Sequence, residues 1–330
     1  MNLYLFNPEH DIMLAADRDV LTPPRAARQL RHDLGFLPAL WAGAADVVLV
    51  DDVVFAREAF AATGRMLQAT LADHNMARRL FASAPAESLR LCPWGWDRPV
   101  VREMRLLGIP DSLLPSPSRL AAIRGLSHRA WAAGHLLKPL RSQPGTVGEA
   151  CEATTAEACL QLVRHYSAAV VKAPWSSSGR GVRCVKASDI TPSLKGWVTR
   201  VVAEQGSIMV EPYYSNKVLD FGVEFMSDGC GSVSLSGLSL FHVERGAYVG
   251  NLVLGEDRKW QLLEPLVGRQ RLAHVVDHIC NLLGPALNGV YAGPLGVDMM
   301  VVRDAGGRLC LHPCVEMNLR ATMGHVALRV

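Results

Sequence analysis

Two acids and an amide lie near the end of the chain at a spacing that could hold a cation. Gly296-Val297-Asp298-Met299-Met300-Val301-Val302 and Cys314-Val315-Glu316-Met317-Asn318-Leu319-Arg320 flank the segment Asp304-Ala305-Gly306-Gly307-Arg308. Paired glycines permit the φ > 0 geometry of a tight strand reversal, so the stretch reads as an antiparallel hairpin. Alternation along a strand puts Glu316 and Asn318 on one face, with Asp298 opposite Glu316 or one diagonal step away. Like charges placed that way repel. A hard divalent cation between them would remove the conflict, since Mg²⁺ takes one or two carboxylates and completes its shell with water and phosphate oxygens. The competing reading is a solvated hairpin face with two unrelated acids.

A second chemical stretch is Lys172-Ala173-Pro174-Trp175-Ser176-Ser177-Ser178-Gly179-Arg180-Gly181. Lysine ends a β-rich run there, and small residues let backbone N–H groups approach an anion while serine hydroxyls add donors. A lysine at the mouth supplies a compact positive charge for phosphate. Neither G-x-x-x-x-G-K-[ST] nor G-x-G-x-x-G is present, and no helix starts directly after the loop. The segment suits a lid over a triphosphate, or an ordinary hairpin with a soft loop. Further on, Met209-Val210-Glu211-Pro212-Tyr213-Tyr214 ends a strand at a proline, a shape suited to a hinge that reads an adenine edge. Pro212 has no N–H, so a backbone donor there falls to Tyr213 or beyond.

The elements that must position these residues form an α/β chain. Strands are predicted at 2–6, 46–50 and 90–92, alternating with helices at 25–34, 55–62 and 100–107, which argues an open, parallel sheet. Asn7-Pro8-Glu9-His10-Asp11 follows the first strand, where ligands of such sheets bind, and is a substrate lip or a polar cap on the core. A Pro/Ser-rich linker spans 110–118, followed by helices at 120–137, 155–165 and 193–204, with strands at 168–173, 182–185 and 207–211. From 218 the pattern becomes antiparallel, with strands at 218–226, 232–243 and 247–254, then a helix over about 264–283 before the hairpin.

With 330 residues, two or three packed units are expected: 1–115, 116–215 and 216–330. Half the residues are apolar and a fifth charged, as in a soluble globular protein. A net charge of +3 is too weak to argue for nucleic acid or a membrane surface. The start of the chain lacks a basic leader and no apolar run is long enough to span a bilayer, so a cytoplasmic location is expected. Only six of 34 basic residues are lysine, which draws attention to one in a glycine-rich loop. Eight scattered cysteines without a CxxC pair argue against a disulfide framework and a structural zinc site.

Taken in order, Val170-Val171-Lys172-Ala173-Pro174 with Ser-Ser-Ser-Gly-Arg-Gly, Val210-Glu211-Pro212, Gly296-Val297-Asp298 and Glu316-Met317-Asn318 resemble the signatures of the ATP-grasp superfamily. The resemblance covers about residues 116–330, and the preceding part is similar to the small α/β domain usual in that position. It implies an ATP-grasp fold, α+β in its C-terminal part, behind an open α/β domain. It further implies an ATP-dependent ligase joining a small-molecule carboxylate to an amine or thiol through an acyl-phosphate, and leaves room for a homodimer. Alternatives are a kinase acting on a small-molecule hydroxyl and a non-catalytic ATP-binding module. By the same resemblance Lys172 and Arg129 contact the nucleotide phosphates. Ser176, Ser177, Ser178, Gly179 and Gly181 belong to the lid, Glu211 and Tyr213 read the adenine, and Asp220 meets the ribose. Asp298, Glu316 and Asn318 hold Mg²⁺, with Glu316 bridging two ions, and Arg320 meets a phosphate or acyl-phosphate oxygen. Three features depart from the pattern. The Asp298–Glu316 separation is longer than usual, no Gly-x-Glu follows the hinge, and the chain ends soon after Met323-Gly324-His325-Val326, where the family continues with a helix. Substrate contacts are sought at Glu9, His10, Arg25, His242 and Asn251.

Overall fold

Short runs of leucine and valine build the first sheet: β1 (Asn2–Leu5), β2 (Val47–Leu49), β3 (Thr70–Ala72) and β4 (Arg90–Pro93), in the order β3-β2-β1-β4. All their pairings are parallel. The computed structural model describes residues 1–82, 88–176, 181–244 and 247–330. It divides into two units, Met1–Arg124 with Arg329–Val330, and Gly125–Leu328.

In the first unit β2 is buried along its whole length, as parallel strands covered by helices on both faces are. Leu3, Leu5, Val47 and Leu49 pack with Val100, Val101 and Met104 of the helix Arg98–Leu106. Two sequence expectations are corrected here. The strand at 90–92 is the fourth, because three residues at 70–72 pair with β2. The loop expected through Asp11 ends earlier, since a helix runs His10–Ala16. Asn7 is fully buried at the end of β1, donating to Gly95 O and Asp97 Oδ2. Asp97 also caps the helix through Val100 N–H and lies 3.0 Å from His10 Nδ1.

The second unit holds two antiparallel sheets. One is β5 (Cys151–Ala153), β6 (Ala168–Lys172), β7 (Val182–Lys186) and β8 (Ile208–Pro212), in the order β5-β8-β6-β7. The helices Ala156–Tyr166 and Pro192–Gln205 cover one of its faces, burying Ala169, Val171, Ile208 and Val210. The other sheet is β9 (Lys217–Ser227), β10 (Val233–Glu244), β11 (Ala247–Asn251), β12 (Gly293–Arg303) and β13 (Leu309–Asn318), ordered β11-β10-β9-β12-β13. Two expected helices are each broken. The helix at 120–137 becomes Pro117–Leu126 and a second run from Arg129, because His128 Nδ1 caps Ala130 N–H. That second run passes through a π turn at Ala133–Leu137. The helix at 264–283 becomes Glu256–Val267 and Arg269–Leu287, separated by Gly268 at φ 75°. Among the described residues, no helix is long and apolar enough to cross a membrane.

Asp97 is buried, caps a helix and accepts from buried Asn7. Asp97→Ala is therefore expected to lower unfolding stability by about 2–4 kcal/mol, read by urea titration. The exposed Asp111→Ala, which loses only a surface ion pair to Arg105, is expected to cost under about 1 kcal/mol in the same assay.

Candidate active site

The hairpin β12–β13 sets Asp298 directly opposite Glu316, and Gly296 opposite Asn318. The longer-than-usual separation of the two acids is absorbed by a bulge. Between the pairs Asp298↔Glu316 and Met300↔His312, the single residue Met299 faces the three residues Pro313–Val315. Pro313 has no N–H to give the ladder, so an irregularity there leaves one fewer donor unsatisfied. The turn closes as read, with Gly307 at φ 78° and its N–H on Asp304 O.

Asp298, Glu316 and Asn318 therefore share one sheet face. Asn318 Nδ2 donates to Asp298 Oδ2 (3.2 Å), and Arg320 Nη2 donates to Asn318 Oδ1 (3.0 Å). Burial, and then the charges of Glu316 and Glu224, push the Asp298 carboxyl up to about 8. Glu224 was not singled out from the sequence. It sits on β9 opposite Gly296, and a Cβ on Gly222 would lie 3.2 Å from Glu224 Oε1 and 3.4 Å from Asp298 Oδ1. The two carboxylates thus meet over a glycine. An acid inside the apolar run Phe221-Gly222-Val223-Glu224-Phe225, two steps from Gly222 and four from Asp220, was the available signal. Among the described residues no three His, Cys, Asp or Glu side chains group closely enough to hold a metal by themselves. The donor set is instead two acids and an amide, the inventory of Mg²⁺ when phosphate and water supply the remaining oxygens.

Arg129 ties this face to the serine loop. It is buried in the first turn after the His128 cap; Nη2 reaches Glu316 Oε1 at 2.5 Å and Ser176 O at 3.1 Å, and Nη1 reaches Ala173 O and Ser176 Oγ. The loop's ends are joined by Ala173 N–H to Gly181 O (2.7 Å). Gly181 has φ 144°, and a Cβ there would fall 2.6 Å from Ser176 Cβ, so only glycine fits. Ser177, Ser178 and Gly179 lie outside the described residues.

Lys172 and Glu211 lie diagonally on neighbouring strands, on the sheet face away from the helices. Their Nζ–Oε2 distance is 2.6 Å and both are buried. Lys172 Nζ also comes within 3.5 Å of Val315 O, beside Glu316. His312, on β13, is buried near this lysine; burial and the Lys172 charge pull its pKa down to about 3, so it is neutral. Met209, on the same face as Glu211, lines a cavity of about 210 Å³ with Ala130, Leu137, Lys138, Arg141 and Glu152. The π turn borders it, as π turns often do at functional sites.

Other expected residues are placed differently. The Tyr213 N–H, expected as an adenine donor, is given to Ala168 O (3.0 Å), because the β6–β8 ladder continues past Pro212. Asp220 pairs with Lys217 at 2.5 Å. Arg320 is turned toward Asn318 and Ala321 O. His242 is exposed beside Glu244, and Asn251 donates to Ser239 Oγ.

The sequence matches no protein-family model and no curated protein sequence. Solved structures do match. A biotin carboxylase–β,γ-ATP complex from Campylobacter jejuni is 15% identical with a TM-score of 0.54, over 99% of this chain and 67% of that one. The N5-carboxyaminoimidazole ribonucleotide synthetase of Thermus thermophilus is 16% identical with a TM-score of 0.51, over 98% and 73%. The biotin carboxylase domain of the Hydrogenobacter thermophilus 2-oxoglutarate carboxylase, in complex with MgADP, ADP and bicarbonate, is 14% identical with a TM-score of 0.50, over 99% and 68%. At such identities the likeness is one of fold: the chain shares the fold of these carboxylase and synthetase structures, with an open α/β unit ahead of its two antiparallel sheets.

Proposed function

We propose that the chain is an ATP-dependent ligase that joins a small-molecule carboxylate to an amine or thiol through an acyl-phosphate. One observation carries this reading: Asp298, Glu316 and Asn318 meet on one sheet face, with Arg129 bound to Glu316 and Lys172 reaching the adjoining backbone. Acids for a cation and bases for phosphate are what phosphoryl transfer needs, because it relies on positioning and charge stabilisation more than on protein covalent chemistry.

In this reading the nucleotide base lies on the Met209–Glu211 side of the sheet, in the cavity between β8 and the π turn. Lys172 and Arg129 exchange carboxylate partners for phosphate oxygens. Asp298, Glu316 and Asn318 would hold Mg²⁺, with Glu316 the ligand shared if two ions bind, and the metal would supply positive charge to the transferred phosphoryl group. The serine loop following Lys172 closes over the phosphates and keeps water from the acyl-phosphate. Arg320 meets the acyl-phosphate oxygen, and Asp220 the ribose. Residues 116–215 form the lid-bearing part and 216–330 the metal-bearing part, and the enzyme works in the cytoplasm.

Lys172→Ala and Glu316→Ala are expected to lower substrate-dependent ADP release by about a hundredfold or more while circular dichroism stays unchanged. Full activity in either variant would remove the reading. Hydroxylamine added during turnover is expected to yield a hydroxamate; a stable phosphorylated alcohol without hydroxamate would make the protein a kinase instead.

The Asp298 carboxyl supplies a pH test. Its folded pKa is raised from 3.8 to about 8, so the folded state holds a proton that the unfolded state has released. In divalent-free buffer the melting temperature should fall as pH rises from about 4 to about 8, and Asp298→Asn should flatten that slope. Mg²⁺ must displace the same proton, so the stabilisation it gives should grow across that window. A melting temperature insensitive to Mg²⁺ at pH 8 would count against the metal site.

A further inference from the structure

His128 stands at the start of the turn that carries Arg129, and the ligase reading gives it no task. Helix starts favour serine, threonine, aspartate or asparagine, whose short polar side chains reach the first free N–H groups. Here an imidazole takes that place: Nδ1 accepts the Ala130 N–H at 3.1 Å. With Nδ1 accepting, the ring proton sits on Nε2. Nε2 then donates to Ser207 Oγ at 3.4 Å, on a buried residue just ahead of β8. Glu152 Oε1, on the cavity wall, is 3.9 Å from the same nitrogen and beyond hydrogen-bond reach.

The ring itself meets Trp175. The two planes stand 86° apart with centroids 4.5 Å apart, an edge-to-face contact. Trp175 is buried and gives its backbone N–H to Gln205 Oε1 at 3.1 Å, so the indole has a fixed seat. The residue before it is tied to the same turn, since the Arg129 N–H reaches Pro174 O at 3.4 Å. The guanidinium of Arg129 then holds Ala173 O and Ser176. Residues 173–176, the neck of the serine loop, are thus fastened to one turn by hydrogen bonds from Arg129 and by packing against His128. Asparagine would cap Ala130 as well but could not fill the space against Trp175. The imidazole is therefore explained by its contacts beyond the cap.

We infer that His128 is a positioning residue for the phosphate-binding groups: through Trp175 and Ser207 it fixes the turn that aims Arg129 relative to the loop neck. The inference rests on the reading of Arg129 and the serine loop as phosphate contacts, but not on the ligase chemistry proposed for them. A guanidinium reaches phosphate only in the direction its turn gives it. Were that turn free to tilt, the direction would spread over several arrangements and most of them would miss the phosphate.

The test is calorimetry on the full-length chain, with MgATP and adenosine as separate probes. His128→Asn keeps a cap and removes the ring, so its melting temperature should stay within about 3 °C of the unmutated chain. Its Kd for MgATP should rise about tenfold and its Kd for adenosine by less than about twofold, because only the phosphate contacts are disturbed. Trp175→Leu should weaken MgATP by a similar factor with circular dichroism unchanged. The double substitution should bind no more weakly than either single one, since both remove the same contact. Unchanged MgATP affinity in His128→Asn would overturn the inference, as would additive losses in the double variant or an equal loss of adenosine and MgATP. No MgATP binding by the unmutated chain would overturn it as well. A chain that binds MgATP yet releases no ADP with any substrate would fail the ligase reading alone, while the same comparison of variants still decides this one.

Discussion

Negative charge crowded onto one face of the five-stranded sheet constrains the rest of the second unit. Asp298 lies opposite Glu316 and shares the space over Gly222 with buried Glu224, where partial burial of Asp298 and Glu316 weakens screening by water. At low effective dielectric such repulsion amounts to several kcal/mol, and a fold tolerates it only with compensating positive charge or a retained proton. The structure uses both. Asp298 is pushed up to about 8, Arg129 is drawn to Glu316, and Arg320 braces Asn318. Local geometry follows from the same need. Glycines at 222 and 296 leave room for the carboxylates, and the bulge around Pro313 keeps Glu316 in register with Asp298.

The basic residues that meet this face, Lys172 on the four-stranded sheet and Arg129 at the start of a helix, have an equivalent problem. Lys172 is buried against Glu211, and Arg129 against Glu316 and the start of the serine loop. Buried ion pairs contribute little net stability compared with apolar residues of similar volume. Two of them, one within the four-stranded sheet and one between a helix and β13, are therefore poorly explained as structural reinforcement. Each carboxylate holds its basic partner in a fixed position.

The first unit solves a separate problem by similar means. Its parallel strands end in a buried polar network, Asn7 to Gly95 and Asp97, Asp97 to His10, and Arg31 among Glu9, Glu103 and Asp51. Nearly every member is paired. A network this closely satisfied fixes side-chain positions.

Much of this was legible in the residues themselves. Period-two alternation placed Glu316 and Asn318 on one face, the Gly306-Gly307 pair marked the reversal, and small residues after Lys172 marked the loop. Alternating strands and helices gave the parallel sheet of the first unit. What stayed hidden depended on pairing between distant segments. A three-residue strand such as Thr70–Ala72 has no periodicity to detect and exists only because β2 offers it an edge. Glu224 joins the acidic face through its register against Gly296, and Tyr213 loses its free N–H to Ala168. His312 becomes a neutral, buried imidazole only where the bulge and Lys172 place it. Composition and periodicity decide which face a side chain joins along its own strand. Which charges then confront one another is decided by cross-strand register and burial, because electrostatic energy depends on separation in space and on the water excluded between the groups.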